Sequence, residues 1–99
     1  MKVRNMRSAN GNKVANQFII TDGNKFTFQS YDSEIITINY DNHTITVGVD
    51  WDYSVTTGKY RNMFLKGQGF RDIANKKDFE YYMNLGAIGN WKIIKSWEV

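Results

Sequence analysis

Aromatic rings, hydroxyls and fixed cations are concentrated in one stretch of the chain, residues 51–65. Tyrosine and arginine are enriched among the residues that dominate binding energy at interfaces. The free amides at the start of a helix attract anions, and a helix is predicted to begin within this stretch. The stretch therefore predicts a surface that contacts a partner. The residues assigned to that surface are Tyr53, Thr57, Lys59, Arg61, Asn62 and Lys66.

A plainer interpretation of the same stretch stays open. Trp51 and Tyr53 can instead pack in the core, while Lys59 and Arg61 do no more than keep one face of a helix in water. The two interpretations differ in whether these side chains are accessible.

The parts needed for catalysis or for metal binding are scarce. The chain has no cysteine and a single histidine, His43, so the common zinc sites and a nucleophile paired with an imidazole are not expected. Asp50 and Asp52 are two positions apart and could share a hydrated Mg²⁺, but further ligands are lacking nearby. Residues 56–59 resemble the end of a phosphate-binding loop but lack its first glycine. We predict no catalytic residue, no metal site, no cofactor and no enzymatic activity.

Direct binding of nucleic acid is the alternative function. The net charge is +3, and it is distributed as +4 over residues 1–20, −5 over residues 21–55 and +4 over residues 56–99. A nucleic-acid-binding domain usually carries a denser basic stripe, and this layout fits two oppositely charged solvated faces equally well. Under the alternative, Tyr53 stacks on a base and phosphates are contacted by Arg4, Arg7, Lys59, Arg61 and Lys66.

Turn signals and alternating apolar residues predict strands in the first half of the chain. Asn10-Gly11 is typical of a type I′ hairpin, and residues 22–24 form the next turn. Strands are expected at residues 2–7, 13–21, 25–31, 34–40 and 43–50.

The second half predicts two helices and a last strand. Ser54 or Thr56 is expected to cap a helix that runs to about Lys66, with a buried stripe of Tyr60, Met63 and Phe64. Asn75 is expected to cap a second helix that ends at Leu85, before Gly86. Residues 90–99 are expected to form a strand with Trp91, Ile93, Trp97 and Val99 on one face. The predicted fold class is α+β, an antiparallel sheet of about five to six strands packed with two short helices in one domain of residues 1–99.

Composition also predicts the surroundings of the protein. The absence of cysteine fits a reducing cytoplasm. No apolar run approaches the roughly 20 residues of a membrane helix, so no membrane partner is expected. Residues 2–7 or 90–99 can lie at a sheet edge and pair with a second copy, which makes a homo-oligomer a further option.

Three motifs resemble a family of small uncharacterised proteins found mainly in bacteriophages and related mobile elements. They are residues 16–20 (NQFII), residues 28–33 (FQSYDS), and residues 51–54 (WDYS) and 57–62 (TGKYRN) followed by Phe64-Leu65. The resemblance covers roughly residues 3–66, and the remainder departs from the short tails typical of that family. It implies no activity and no catalytic residue.

A phage origin implies a binding protein that inhibits or modulates a host factor in the cytoplasm of a bacterium. The expected partner is a host protein or a protein–nucleic-acid complex, such as a CRISPR nuclease complex blocked by an anti-CRISPR protein or another inhibitor of host defence.

Overall fold

A seven-stranded β-sheet carries both helices on one face, and the protein has an α+β fold. The computed structural model describes residues 1–98. The strands are β1 (Lys2–Arg7), β2 (Lys13–Asp22), β3 (Lys25–Ser30), β4 (Ser33–Asn39), β5 (Thr44–Val47), β6 (Ala87–Ile88) and β7 (Trp91–Lys95). The helices are α1 (Val55–Gly67) and α2 (Lys76–Leu85), and single 3₁₀ turns lie at Arg71–Ile73 and Ser96–Glu98.

The strand order is β1-β2-β3-β4-β5-β7-β6. Every neighbouring pair is antiparallel except β5 and β7, which run parallel. The prediction of an antiparallel sheet of five to six strands is therefore wrong in two respects, since the sheet is mixed and has seven strands. The parallel pair arises because α1 and α2 lie between β5 and β7, and a long helical connection returns the chain in its original direction. The extra strand, β6, has only two residues and is too short to show a pattern.

The hairpin expected at Asn10-Gly11 is present, but its turn type is not the predicted one. Gly11 donates its backbone N–H to the carbonyl oxygen of Ser8 at 2.9 Å. Gly11 has a φ of 82°, whereas Asn10 is not left-handed. A type I′ turn needs positive φ at both central residues, so the loop between β1 and β2 is a turn that ends on a left-handed glycine.

Alternation along the strands produces one buried and one half-exposed face. Ile19, Phe28, Ile36 and Val47 pair across four strands and form one row of the buried face. Tyr60 and Phe64 of α1 pack on this face, with Phe64 stacked 6.0 Å from Phe28, and Met63 is half-buried. Phe79 and Met83 of α2 are also buried. The predicted stripe of α1 is confirmed.

Both helix caps match the predicted residues. The Ser54 hydroxyl accepts from the amide of Thr57 at 3.1 Å, and the Asn75 side chain accepts from the amide of Asp78 at 2.9 Å. Gly86 ends α2 in the left-handed conformation, at a φ of 85°. Within residues 1–98, neither helix has the length and apolar content needed to cross a membrane.

The edges of the sheet are β1 and β6. The expectation that residues 90–99 lie at an edge is wrong for β7, because this strand pairs with β5 on one side and β6 on the other. Trp97 lies in the 3₁₀ turn after β7 and is 42% exposed, so it does not continue the face of Ile93. Val99 lies outside the described residues. Residues 2–7 do form an edge strand.

Candidate binding cleft

A cleft of about 660 Å³ opens where the turn between β3 and β4 faces the start of α1. This volume is typical of sites that take small ligands or a side chain of a partner. Residues 30–33 form one wall, the opposite wall is formed by Tyr53, Ser54, Thr56 and Thr57, and Asp50 and Ile35 complete the lining. The lining has two tyrosines, two carboxylates and the hydroxyls of Ser30, Ser33, Ser54, Thr56 and Thr57.

Hydrogen bonds between hydroxyls fix the floor of the cleft. The side-chain oxygen of buried Thr57 lies 3.0 Å from that of Ser30, so α1 is tied to β3. Ser54 donates to the same Thr57 oxygen at 3.1 Å. On the other side Ser33 donates to Asp50 at 2.7 Å. These hydroxyls bind one another, so they hold the cleft in shape.

Exposed apolar or aromatic side chains line the cleft or are next in the chain to residues that line it. Tyr53 is 72% exposed and Tyr31 is 50% exposed, and both line the opening. Val49 and Val55 lie next in the chain to lining residues and are 68% and 91% exposed. An exposed apolar group around a polar depression is typical of an interaction site.

Tyr31 is held in a conformation that a bulky side chain rarely adopts. Its φ is 54°, in the left-handed region that favours glycine. Its backbone N–H donates to the carbonyl oxygen of Asn16 at 2.7 Å. The side-chain amide of Gln29 donates to the carbonyl oxygen of Tyr31 at 2.8 Å. These two bonds fix the backbone in a strained turn with the ring exposed. Strain of this kind is concentrated at functional sites.

The cleft is negatively charged. Asp32 and Asp50 line it, and in the described part of the chain no basic side chain does. Within residues 1–98 neither carboxylate belongs to an ion pair, whereas nearby Asp52 lies 2.8 Å from Lys76 and 3.7 Å from Arg61. The same part of the chain contains no group of three or more side chains suited to hold a metal ion.

Arg61 does not lie on the surface, and the prediction that it is exposed is wrong. It is 1% exposed, and its guanidinium donates to the carbonyl oxygen of Trp51 at 2.8 Å. The rings of Trp51 and Phe79 lie 5.4 and 5.2 Å from the guanidinium carbon. Phe79 belongs to α2, so α2 packs against the side of α1 that carries Arg61. A buried guanidinium cannot reach a partner or a phosphate.

Burial and charge act in opposite directions on this cluster. Burial lowers the pKa of Arg61 below its ordinary value, and the charge of Asp52 opposes that shift. A hydrogen bond to Asp52, followed by the charge of that carboxylate, raises the pKa of Lys76. Arg61, Asp52 and Lys76 therefore join α1, the loop before it and α2, which is a structural role.

The other predicted contact residues fall into separate groups. Tyr53 is on the rim of the cleft, and Thr57 is buried in its floor. Lys59 and Lys66 are exposed on α1, but Asn62 is half-buried and accepts from Arg61 at 3.1 Å. The six residues do not form one surface. For the nucleic-acid alternative, Arg4 and Arg7 are exposed on the edge strand β1.

Sequence reasoning missed Tyr31, Asp32 and Asp50 as members of the site. The two walls are at least 20 positions apart in the chain, from Ser33 to Tyr53, and only the sheet and α1 bring them together. One local signal existed. Tyr31 occupies a two-residue turn, where a residue that prefers strands is unexpected.

Gln17 is directly opposite Ser30 in the sheet and provides a test of the packing near this floor. It is fully buried, and neither its amide nitrogen nor its amide oxygen has a hydrogen-bond partner within residues 1–98. Since a buried polar group without a partner is costly, we expect Gln17→Met to raise the free energy of unfolding by about 1–2 kcal/mol. Urea denaturation followed by circular dichroism measures the change.

The control for Gln17→Met is Thr57→Val, which removes a buried hydroxyl that is hydrogen-bonded to Ser30 and Ser54. This variant is expected to lose stability. A loss of stability in Gln17→Met as well would show that the amide contributes favourably to folding.

The chain belongs to the DUF8033 family, described as a family of unknown function, whose model matches residues 1–81. The match includes both walls of the cleft and ends within α2. Searches of the curated proteins and of the solved structures found no significant match. The family description names no host, so the resemblance to phage proteins stays a prediction.

Proposed function

We propose that this member of the DUF8033 family is a non-catalytic binding protein whose partner docks on the cleft beside the start of α1. The observation that carries the proposal is the pair of exposed rings, Tyr31 and Tyr53, on a polar cleft whose hydroxyls are hydrogen-bonded to its own lining residues. Tyrosine supplies a large contact area at a low cost in conformational entropy. The partner is a protein or a protein–nucleic-acid complex.

The hydroxyls of the cleft support binding over catalysis. His43, the single imidazole of the chain, stacks on Trp91 with the rings 4.7 Å apart and does not line the cleft. A serine nucleophile is typically activated by an adjacent imidazole, whereas the hydroxyls of the cleft contact one another and the carboxylate of Asp50. The proposal therefore assigns these groups to scaffolding and recognition.

The resemblance to phage proteins supports a more specific proposal about the partner. On that basis the partner is a bacterial host factor, such as a CRISPR nuclease complex, and occupation of its surface inhibits it in the host cytoplasm.

Photo-crosslinking at the rim tests the proposed function. With benzoylphenylalanine in place of Tyr53, we expect one host protein to be captured in bacterial cells that express this protein. Tyr81 is the matched control, because it is an exposed tyrosine of α2, 62% accessible against 72% for Tyr53, and does not line the cleft. Tyr31→Ala should reduce capture at position 53.

Two outcomes would count against this function. Equal capture at positions 53 and 81, or no capture at either, would contradict a binding site at the cleft. Capture of nucleic acid alone would instead support direct nucleic-acid binding. In that case the exposed basic side chains Arg4, Arg7 and Lys59 contact phosphates, and the buried Arg61 does not.

A further inference from the structure

The two carboxylates of the cleft, Asp32 and Asp50, indicate the charge of the group that binds there. Asp50 accepts from Ser33 through Oδ2, and within residues 1–98 no side-chain hydrogen bond reaches its Oδ1 or either oxygen of Asp32. Asp32 is exposed and Asp50 is half-buried. Carboxylate oxygens without a partner, in a depression with no basic lining, favour a cation.

The start of α1 opposes this preference only weakly. A helix N-terminus carries about half a positive charge, whereas Asp32 and Asp50 bring two full negative charges. One of the first amides, that of Thr57, is already occupied by the Ser54 hydroxyl at 3.1 Å. The carboxylates therefore outweigh the helix dipole, and an anionic ligand is disfavoured.

The two rings at the mouth distinguish between kinds of cation. A cation is attracted to the face of an aromatic ring, and Tyr31 and Tyr53 are both accessible. A guanidinium is flat, stacks on rings and binds a carboxylate through two parallel hydrogen bonds, which an ammonium cannot do. The volume of about 660 Å³ leaves room for the residues on either side of one side chain.

We infer that the cleft binds an arginine side chain presented by a segment of the partner protein, with its guanidinium against Asp32 and Asp50 and between the exposed rings. This inference rests on the proposed function, because it names the chemistry of the partner at the same site. The apolar groups of Val49 and Val55 contact the flanking residues of that segment.

The inference is tested with blocked pentapeptides that carry one central residue between glycines. Titration of the protein with the arginine peptide, followed by ¹H–¹⁵N NMR, is expected to shift the amides of Ser33, Thr56 and Thr57. The citrulline peptide has nearly the same shape without the charge, and its affinity is expected to be at least about tenfold lower. The glutamate peptide is expected to leave these amides unchanged.

Substitutions of the cleft carboxylates test whether the arginine peptide binds in the cleft. Asp32→Asn and Asp50→Asn are each expected to lower the affinity for the arginine peptide several-fold. Asp72 is an exposed acid outside the cleft, and Asp72→Asn is expected to leave this affinity unchanged. Because the comparison of peptides uses the unmodified protein, it stands even if a variant folds poorly.

Equal shifts with arginine and citrulline, or binding of the glutamate peptide in the cleft, would overturn the inference. So would an arginine peptide that shifts none of these amides. If the photo-crosslinker at position 53 still captures a protein in that case, the proposed function survives and only the inferred arginine is wrong. If the peptide binds as expected but nothing is captured at Tyr53, the proposed function fails by itself.

Discussion

Replacement of Gly48 by alanine is expected to lower the free energy of unfolding by more than about 3 kcal/mol, which is much of the stability of a small domain. A Cβ atom at this position would overlap the carbonyl oxygen of Glu34 and lie 3.1 Å from its carbonyl carbon. Both are backbone atoms, so no side-chain rotation relieves the clash. Thermal and urea unfolding followed by circular dichroism measure the loss.

The close approach at Gly48 is built into the sheet. The register between β3 and β4 shifts after Phe28, which leaves Ile35 as an extra residue in β4. Gly48 donates its N–H to the carbonyl oxygen of Ile35 at 2.8 Å, so the chain leaving β5 presses against this bulge. Ile35 and Asp50 both line the cleft, and we expect Gly48→Ala to displace them as well.

Gly67→Ala is the matched control. Gly67 is the last residue of α1, has an ordinary negative φ, and a Cβ there would meet open space. Alanine is favoured over glycine in a helix by roughly 0.5–1 kcal/mol, so this variant is expected to be as stable as the natural chain or slightly more so. A Gly48→Ala protein with an unchanged unfolding midpoint would show that the backbone moves apart at little cost.

The parts of the fold that depend on neighbours in the chain were predictable from sequence. Ser54 and Asn75 cap the two helices because their side chains reach amides three residues ahead. Phe26 and Phe28 alternate with polar residues, as is typical of a strand, and both lie in β3. Such features are fixed by local geometry, so a single sequence contains them.

The missed features all depend on contacts between distant segments. The parallel pairing of β5 with β7 requires the path of α1 and α2 to be known. The burial of Arg61 depends on Phe79, which is 18 positions later in the chain. The cleft depends on the turn after β3 meeting the start of α1. No periodicity of a single segment encodes these distances.

The sequence predicts that the hydroxyl-rich start of α1 is a contact surface, and the structure leaves only some of these residues accessible. Thr57 and Arg61 are buried and bonded to other parts of the protein, whereas the plainer interpretation left Arg61 in water and packed Tyr53 in the core. Tyr53 is exposed, as a binding surface requires. Cationic and hydroxyl side chains near a helix start therefore do not reveal, from sequence alone, which of them face solvent.

Arg61→Ala is expected to lower the free energy of unfolding by about 3–5 kcal/mol. The substitution removes the donor to the Trp51 carbonyl and leaves a cavity beside the Trp51 and Phe79 rings, which lie 5.4 Å from each other. Asp52 is not left alone, because Lys76 still lies 2.8 Å from it, so most of the loss comes from packing and from the unpaired carbonyl. Arg61→Lys keeps the charge but lacks the planar fork, and it is expected to lose at least about 1.5 kcal/mol.

The same variants separate a structural arginine from a binding one. An arginine that only contacted a partner would leave the unfolding midpoint unchanged when replaced, as is expected for the exposed Arg4→Ala, within about 0.5 kcal/mol. If Arg61→Ala unfolds at the same urea concentration as Arg4→Ala, the buried cluster is not what joins α1 to α2. If it unfolds much earlier, a loss of partner capture in any Arg61 variant reports on folding, and Tyr53 and Tyr31 become the positions at which binding has to be measured.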